Sequence, residues 1–379
     1  MNESKNTIPD RLVKSFFDDG VVAFVGAGLS VNEGLPTWQV LIESMFQEIK
    51  SNLSEDEQKS ISEHIAARNF LLVADYLKSK FNEIRYKDFI ENKFLIKKEG
   101  VIHRLLLSIP FKGIITTNYD TIFSYSDGQN EFNAPFTYED PDVFRKTKKK
   151  FLLHAHGIAT TPGSTILSFT DYDNLNFGVK NIMFWETMKS LFQRHRVLFI
   201  GYSLNDPDIN IFLTKLKYTF SGNFNEHFAL IDERNSDLLH FHRLTKIFGV
   251  EPIFLQSNLS MGESVHRWVE QLKSLVLAES IPRLQTNYES YGLQGTRITE
   301  LMQNLFLFVN EKYSLNEFIQ KIHSILRNPD YEDQIDSFET LWSKIILKLP
   351  IQDLKKLVSS ILTDFPNSPN LKKLITYLP

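Results

Sequence analysis

The sequence predicts a doubly wound α/β fold built on a parallel sheet. Six short runs of β-branched or aromatic residues are apolar almost throughout, as in strands covered on both faces. These runs alternate with segments of helical periodicity, which is the pattern of repeated strand–helix units. The predicted strands are Val21–Val25, Gly113–Thr116, Phe151–His154, Val197–Ile200, His227–Ile231 and Pro252–Leu255.

The predicted helices fill the gaps between these strands. Residues 38–49 carry apolar side chains at helical spacing, and Ser54 with Glu57 has the pattern of a capping box at the start of another helix. The long segment 29–112 separates the first two strands and exceeds what one crossover helix needs. We therefore expect a small helical module, at about residues 39–106, inserted after the first strand.

The pattern changes near Pro282, after which no strand is predicted. Ser314 with Glu317 forms another capping-box pattern, and prolines interrupt the later apolar helical segments. We expect an α/β domain over residues 1–278 and an all-α C-terminal region over residues 283–379. The C-terminal region is a candidate for oligomerisation or partner docking.

Composition excludes several classes of site. The chain has 379 residues and no cysteine, which excludes disulfides, a thiol nucleophile and a thiolate zinc site. The net charge of −4 gives no general attraction to nucleic acid or anionic membranes. The basic run at 145–150 is interpreted as a solvated loop. No leader pattern and no apolar run of membrane-spanning length are present, so a cytoplasmic protein is expected.

Four polar clusters follow predicted strands, and the first is Gly26-Ala27-Gly28-Leu29-Ser30. A glycine turn between a strand and a helix can direct backbone N–H groups at a phosphate. The third glycine of the dehydrogenase fingerprint is absent at its usual spacing, which disfavours a dehydrogenase. The alternative is a tight turn with a purely structural role.

The second cluster is Thr116-Thr117-Asn118-Tyr119-Asp120, at the carboxyl end of a strand, where such sheets bind ligands. Asn118 could orient a water or a ribose hydroxyl. Asp120 could accept a hydrogen bond from a ribose or stabilise developing positive charge. The alternative is that both residues only cap the following helix.

The third cluster is His154-Ala155-His156-Gly157. Two histidines at i and i+2 on a strand face the same way and could bind a metal, but no third ligand is visible nearby. A general base at His156, with Gly157 allowing close approach of a substrate, is the more economical interpretation. A buried histidine with a structural hydrogen bond is the alternative.

The fourth cluster runs from Gly201 to Asp208, ahead of a helix predicted to start near Asp208. Gly201 and Ser203 could contact a phosphate or a ribose. A plain strand, loop and helix cap is the alternative.

In this order the four clusters resemble the NAD-binding domain of sirtuins, and more closely the sirtuin-like domains of bacterial anti-phage defence proteins. The resemblance covers residues 18–275, and the segment 103–111 also resembles that branch. It implies a Rossmann-like fold, with Asn118 and Asp120 beside the nicotinamide ribose and His156 as the base. It further implies that NAD is bound by Gly26, Ala27, Gly28, Ser30, Pro36, Thr37, Trp38, Thr117, Gly201, Tyr202, Ser203 and Asp206.

Two departures from the family bear on the activity. Sirtuin deacylases carry a four-cysteine zinc module, and this chain has no cysteine. They also carry Pro-Asp-Phe-Arg after the glycine turn, where this chain has Pro36-Thr37-Trp38-Gln39. Hydrolysis of NAD to nicotinamide and ADP-ribose, without zinc, is therefore expected in place of deacylation.

The resemblance also suggests a biological setting. It implies a gated effector of abortive infection that forms a homo-oligomer and pairs with a HerA-like ATPase. The alternative is a non-catalytic subunit that senses NAD or ADP-ribose as a scaffold for a partner effector. The presence of both Asn118 and His156 argues against a pure sensor, which needs neither.

Overall fold

The structure is a computed structural model that describes residues 8–127, 132, 134–202, 204, 207–219, 226–235, 238–256 and 258–290. The predicted C-terminal helices beyond residue 290 lie outside these described residues. The chain divides into two compact units, residues 1–271 and 272–379, and the account below concerns the first.

The core of the fold is a seven-stranded sheet in which every neighbouring pair is parallel. The six predicted strands are confirmed, with the fourth of them starting one residue earlier, at Arg196, and the last running from Val250 to Phe254. A two-residue edge strand was not predicted. In chain order the strands are β1 (Val21–Val25), β2 (Gly113–Thr116), β3 (Phe136–Thr137), β4 (Phe151–His154), β5 (Arg196–Ile200), β6 (His227–Ile231) and β7 (Val250–Phe254).

The strand order β3-β4-β2-β1-β5-β6-β7 sets the position of the crevice. From β1 the chain builds outward through β2 and β4, then returns to the other side of β1 with β5. The order therefore reverses at β1, and doubly wound sheets bind ligands beyond the carboxyl ends of strands at such a point. The register pairs Val25 with both Thr116 and Ile200, so these strand ends lie side by side.

Helices cover the sheet and fill the long gap between β1 and β2. Five of them, α3 to α7, form the predicted module after the first strand. In order, the helices are α1 (Asp10–Ser15), α2 (Ala27–Ser30), α3 (Trp38–Ile49), α4 (Glu55–Ala66), α5 (Phe70–Lys80), α6 (Glu83–Phe94), α7 (Val101–Leu107), α8 (Ile122–Ser126), α9 (Val143–Lys146), α10 (Phe169–Phe177), α11 (Ile182–Arg194), α12 (Pro207–Thr219), α13 (Leu238–His242) and α14 (Met261–Ser290).

Two apolar cores explain why these segments fold as they do. Alternate strand residues such as Phe24, Ile115 and Phe199 face one side of the sheet and pack with buried side chains of α10, α11 and α12. The helical module has a second core, in which Ile42 of α3 packs with Leu77 of α5 and other buried residues.

Within the described part of the chain, no helix is both long enough and apolar enough to cross a membrane.

The predicted start of α4 is confirmed in its hydrogen bonds. The main-chain N–H of Glu57 donates to the Ser54 hydroxyl, and the main-chain N–H of Ser54 donates to the Glu57 carboxylate. This reciprocal pair satisfies two N–H groups that have no partner within the helix.

Candidate active site

A pocket of about 500 Å³ lies at the carboxyl ends of the central strands. Every predicted site residue that the structure describes lines it, except Gly26, which lies in the turn after β1. Ser203 and Asp206 lie outside the described residues. The lining residues are Ala27, Gly28, Ser30, Val31, Leu35, Pro36, Thr37, Trp38, Leu41, Phe94, Thr117, Asn118, Tyr119, Asp120, His156, Tyr172, Gly201, Tyr202, Leu230, Ile231, Asp232 and Met261.

The glycine turn after β1 packs directly against the end of β5. The N–H of Gly26 donates to the carbonyl of Ile200 at 3.0 Å, and the N–H of Gly28 donates to the carbonyl of Gly201 at 2.9 Å. A Cβ on Gly26 or Gly28 would lie 2.6 or 2.8 Å from the Gly201 oxygen. Leu29 N–H also donates within the turn. These three amides therefore donate to carbonyls of the protein itself, and the predicted pyrophosphate contacts of the glycines stay a prediction.

Asn118 follows β2 and is nearly buried, with 9% of its surface exposed. Its side-chain N–H₂ donates to the Gly26 carbonyl at 3.2 Å and to the Ser30 hydroxyl at 3.0 Å. Because a main-chain carbonyl only accepts, these contacts fix which end of the carboxamide carries the oxygen. That oxygen is buried and has no hydrogen-bond partner among the described residues. A buried acceptor left in this way at a pocket wall suits a ligand or a bound water.

Asp120 lies close to Asn118 and is almost fully buried. One carboxylate oxygen accepts from the Ser30 hydroxyl at 2.8 Å, and the other accepts from the N–H of Ile122 at 3.1 Å. The second contact is the helix-capping role weighed from the sequence, and the predicted contact of Asp120 with a ribose stays a prediction. Burial raises the pKa of Asp120, although the bonds from Ser30 and Ile122 act in the opposite direction.

Ser30 is the link between these two residues. Its hydroxyl accepts from Asn118 and donates its one proton to Asp120. In this arrangement Ser30 supports the two residues of the second cluster, and its predicted contact with a pyrophosphate stays a prediction.

Two fully buried histidines complete this network. His154 Nδ1 lies 2.9 Å from the main-chain carbonyl oxygen of Asn118, and His103 Nε2 lies 3.4 Å from the Ser30 hydroxyl. Burial lowers the pKa of each imidazole to about 4, so both are neutral at pH 7. Among the described residues, no group of three or more His, Asp or Glu side chains could hold a metal ion.

His156 lies at the pocket wall after β4, with 3% of its surface exposed. Its ring contacts the ring of Tyr172 edge to face, with the centroids 5.5 Å apart. Gly157, expected to let a substrate approach, has another reason to be glycine. Its φ is +86°, and a Cβ there would lie 2.3 Å from the Ser164 carbonyl oxygen, so the glycine is required by chain packing.

The start of α3 forms another part of the wall. Thr37 caps this helix by accepting from the N–H of Val40, and Trp38 packs on Phe70 with ring centroids 5.9 Å apart. The predicted residues Pro36, Thr37 and Trp38 therefore reach the pocket from a well-anchored helix end.

Several lining residues were not predicted. Phe94 and Tyr172 come from helices whose local sequence carries no sign of a pocket. Asp232 was detectable, because it is an acidic residue at the end of β6, in the same position as the residues of the other clusters. Its carboxylate is paired with Arg234, at 2.7 Å for the closest atoms, and this bond lowers the pKa of Asp232.

Comparisons with known proteins show what this chain is similar to. The family model of the SIR2-like domain matches residues 112–253. Two relatives are proteins called NAD(+) hydrolase ThsA. The one from Acinetobacter baumannii is 22% identical over 60% of this chain and 45% of its own length, and the one from Bacillus cereus is 23% identical over 62% and 49%. A protein called defense-associated sirtuin 2, from Bacillus subtilis, is 26% identical over 58% of this chain and 21% of its own length.

The matched part of the chain thus spans less than half the length of each of these relatives. The similarity confirms the resemblance predicted from the four polar clusters, to a sirtuin-like domain of bacterial defence proteins.

Proposed function

We propose that this SIR2-like domain hydrolyses NAD, giving nicotinamide and ADP-ribose. The observation that carries the proposal is the buried side-chain oxygen of Asn118. It has no partner among the described residues, and Asn118 shares its pocket with His156. The names of the relatives from Acinetobacter baumannii and Bacillus cereus support the same reaction. The pocket volume of about 500 Å³ is within the range of ligand sites.

The reaction consumes one water. The water oxygen bonds to C1′ of the nicotinamide ribose, and the bond from C1′ to the ring nitrogen breaks. The electron pair of the broken bond stays on nicotinamide, which leaves as a neutral molecule. One proton of the water is released. Asn118 would hold the water or a ribose hydroxyl with its side-chain oxygen, and His156 would accept the proton.

Asp120 has a supporting role in this scheme. Both of its oxygens already accept hydrogen bonds, from Ser30 and from the N–H of Ile122. We therefore assign Asp120 to holding the Ser30–Asn118 pair in place, and not to proton transfer.

The test is incubation of the full chain with NAD and separation of the products by liquid chromatography. Equimolar nicotinamide and ADP-ribose are expected, and their formation should stop with Asn118→Ala and with His156→Ala. If NAD binds in calorimetry without any release of nicotinamide, the non-catalytic sensor is the better description. Turnover that survives both substitutions would mean that the residue roles are wrong.

The biological role is a separate proposal. We infer a gated effector of anti-phage defence, because unrestrained NAD hydrolysis would deplete the host cell. A homo-oligomer and a HerA-like ATPase partner are the assembly proposed for it, with residues 283–379 as the docking region. Light scattering of the full chain, alone and mixed with the protein of the neighbouring gene, tests this assembly. A monomer that binds no partner would contradict it.

A further inference from the structure

Two histidines that the proposed reaction does not use lie next to Asn118. His154 belongs to β4, His103 belongs to α7, and neither has any exposed surface. Each places one ring nitrogen near a group that fixes Asn118. The structure thus surrounds one pocket residue with two buried polar rings.

His154 acts on the main chain of Asn118. The carbonyl oxygen of Asn118 can only accept, so the proton of the 2.9 Å contact belongs to Nδ1 of His154. In the neutral ring Nε2 then carries no proton, and it has no hydrogen-bond partner among the described residues. This bond ties the segment after β2 to the neighbouring strand β4 at the position of Asn118.

His103 acts on the side chain of Asn118 through Ser30. The Ser30 hydroxyl has one proton, and the nearer acceptor is Asp120, at 2.8 Å against 3.4 Å for His103. Nε2 of His103 is therefore the donor in its contact. The Ser30 oxygen has two lone pairs. One accepts from Nε2 of His103, and the other accepts from the N–H₂ group of Asn118.

We propose that His154 and His103 are positioning residues that hold Asn118 with its N–H₂ group toward Gly26 and its side-chain oxygen away from it. The proposal rests on the proposed function, in which that oxygen holds a water or a ribose hydroxyl. Loss of the His154 bond lets the main chain at Asn118 shift, and loss of the His103 bond lets the carboxamide turn. In either case the reacting groups lose their geometry while the rest of the pocket still binds NAD.

At each of the two positions, the test compares a substitution that keeps the hydrogen-bond donor in place with one that moves it. The amide nitrogen of asparagine lies near the position of Nδ1, and that of glutamine lies near the position of Nε2. His154→Asn and His103→Gln therefore keep the donor, whereas His154→Gln and His103→Asn misplace it. We expect kcat within about threefold of wild type for the first pair and reduced at least roughly tenfold for the second, with KM for NAD little changed in all four.

His227→Leu is the matched control. His227 is also fully buried, but it is the first residue of β6 and lies at the opposite end of the strands from the pocket. This variant should lose thermal stability and keep kcat within about threefold of wild type.

The outcomes separate the two proposals. If both variants at a position lose kcat equally, or if neither does, the histidines do not position Asn118. If the wild-type chain releases no nicotinamide, the proposed function fails. Positioning is then measured by the side-chain amide resonance of Asn118 in ¹⁵N-labelled protein. That resonance should stay in place in the variants that keep the donor and shift in those that misplace it, and an equal response in all four would overturn the proposal.

Discussion

The side-chain N–H₂ group of Asn118 donates to the main-chain carbonyl of Gly26 across 3.2 Å, and this bond joins the segment after β2 to the turn after β1. The two strands are neighbours, with Val25 paired to Thr116. The orientation of Asn118 and the shape of the glycine turn are therefore coupled. A change that removes the donor affects both the pocket and the turn.

Asn118→Asp tests this bond with little change in volume. The substitution replaces a donor by a charged acceptor facing the Gly26 oxygen, so the carboxylate must turn away or become protonated. We expect nicotinamide release to fall roughly 100-fold, measured by liquid chromatography. Asn82→Asp is the control, because its side-chain oxygen only accepts from the N–H of Arg85 at the start of α6, as aspartate also can. Activity retained in Asn118→Asp would contradict the assigned role.

Ser30→Ala tests the link between Asn118 and Asp120. The variant leaves one oxygen of a buried carboxylate without its hydroxyl donor. The free energy of unfolding should fall by about 1–3 kcal/mol, measured by urea denaturation. Ser62→Ala removes an exposed hydroxyl that donates to the Gln58 carbonyl, and we expect its effect to be within about 0.5 kcal/mol. Equal effects of the two substitutions would show that the buried link adds no stability.

Gly201→Ala tests the close contact between the glycine turn and β5. Gly201 has a φ of +62°, and a Cβ there would lie 2.7 Å from the main-chain nitrogen of Leu29. Gly34 is the matched control, since its φ is +86° but a Cβ would meet nothing within 4 Å. Alanine at position 34 should cost only the backbone strain of about 1–2 kcal/mol, and alanine at 201 should cost clearly more. Equal shifts in thermal melting would mean that the turn can move away from β5.

The strands and the polar clusters were predictable because their signals are local. A buried parallel strand is a short apolar run, and the ligand-binding edge of the sheet follows from where each run ends. The start of β7 was predicted at Pro252, because proline is rare inside strands, but the strand begins at Val250. A proline within this strand is tolerated because β7 lies at the sheet edge. The edge strand β3 has only two residues, Phe136–Thr137, too few to show a period.

The contacts inside the pocket were not predictable in the same way. Ser30 meets Asp120 across a sequence separation of 90 residues and His103 across 73. No local pattern encodes such pairs, because they depend on how α7 and the turn after β1 pack together. The same holds for the glycine turn, where the N–H groups of Gly26 and Gly28 donate to the carbonyls of Ile200, the last residue of β5, and Gly201, which follows it.

Acidification should destabilise the chain before its carboxylates titrate. Burial lowers the pKa of His103 and His154 to about 4 and that of His227 to about 3, against 6.5 for an ordinary imidazole. Between pH 6.5 and 5 the unfolded chain therefore binds protons that the folded chain does not, and stability falls as the pH falls. Each histidine should contribute about 2 kcal/mol of this loss by pH 5.

Calorimetric melting between pH 7.5 and 5 measures this loss, and His154→Asn supplies the comparison. That variant keeps the donor to Asn118 but has no titrating group at position 154, so its stability should fall less steeply with acid than that of the wild type. Burial raises the pKa of Asp120, so the titration of that group affects stability in the opposite sense to the histidines. If the wild type and His154→Asn show the same pH dependence, His154 is not a neutral group that resists protonation in the folded protein.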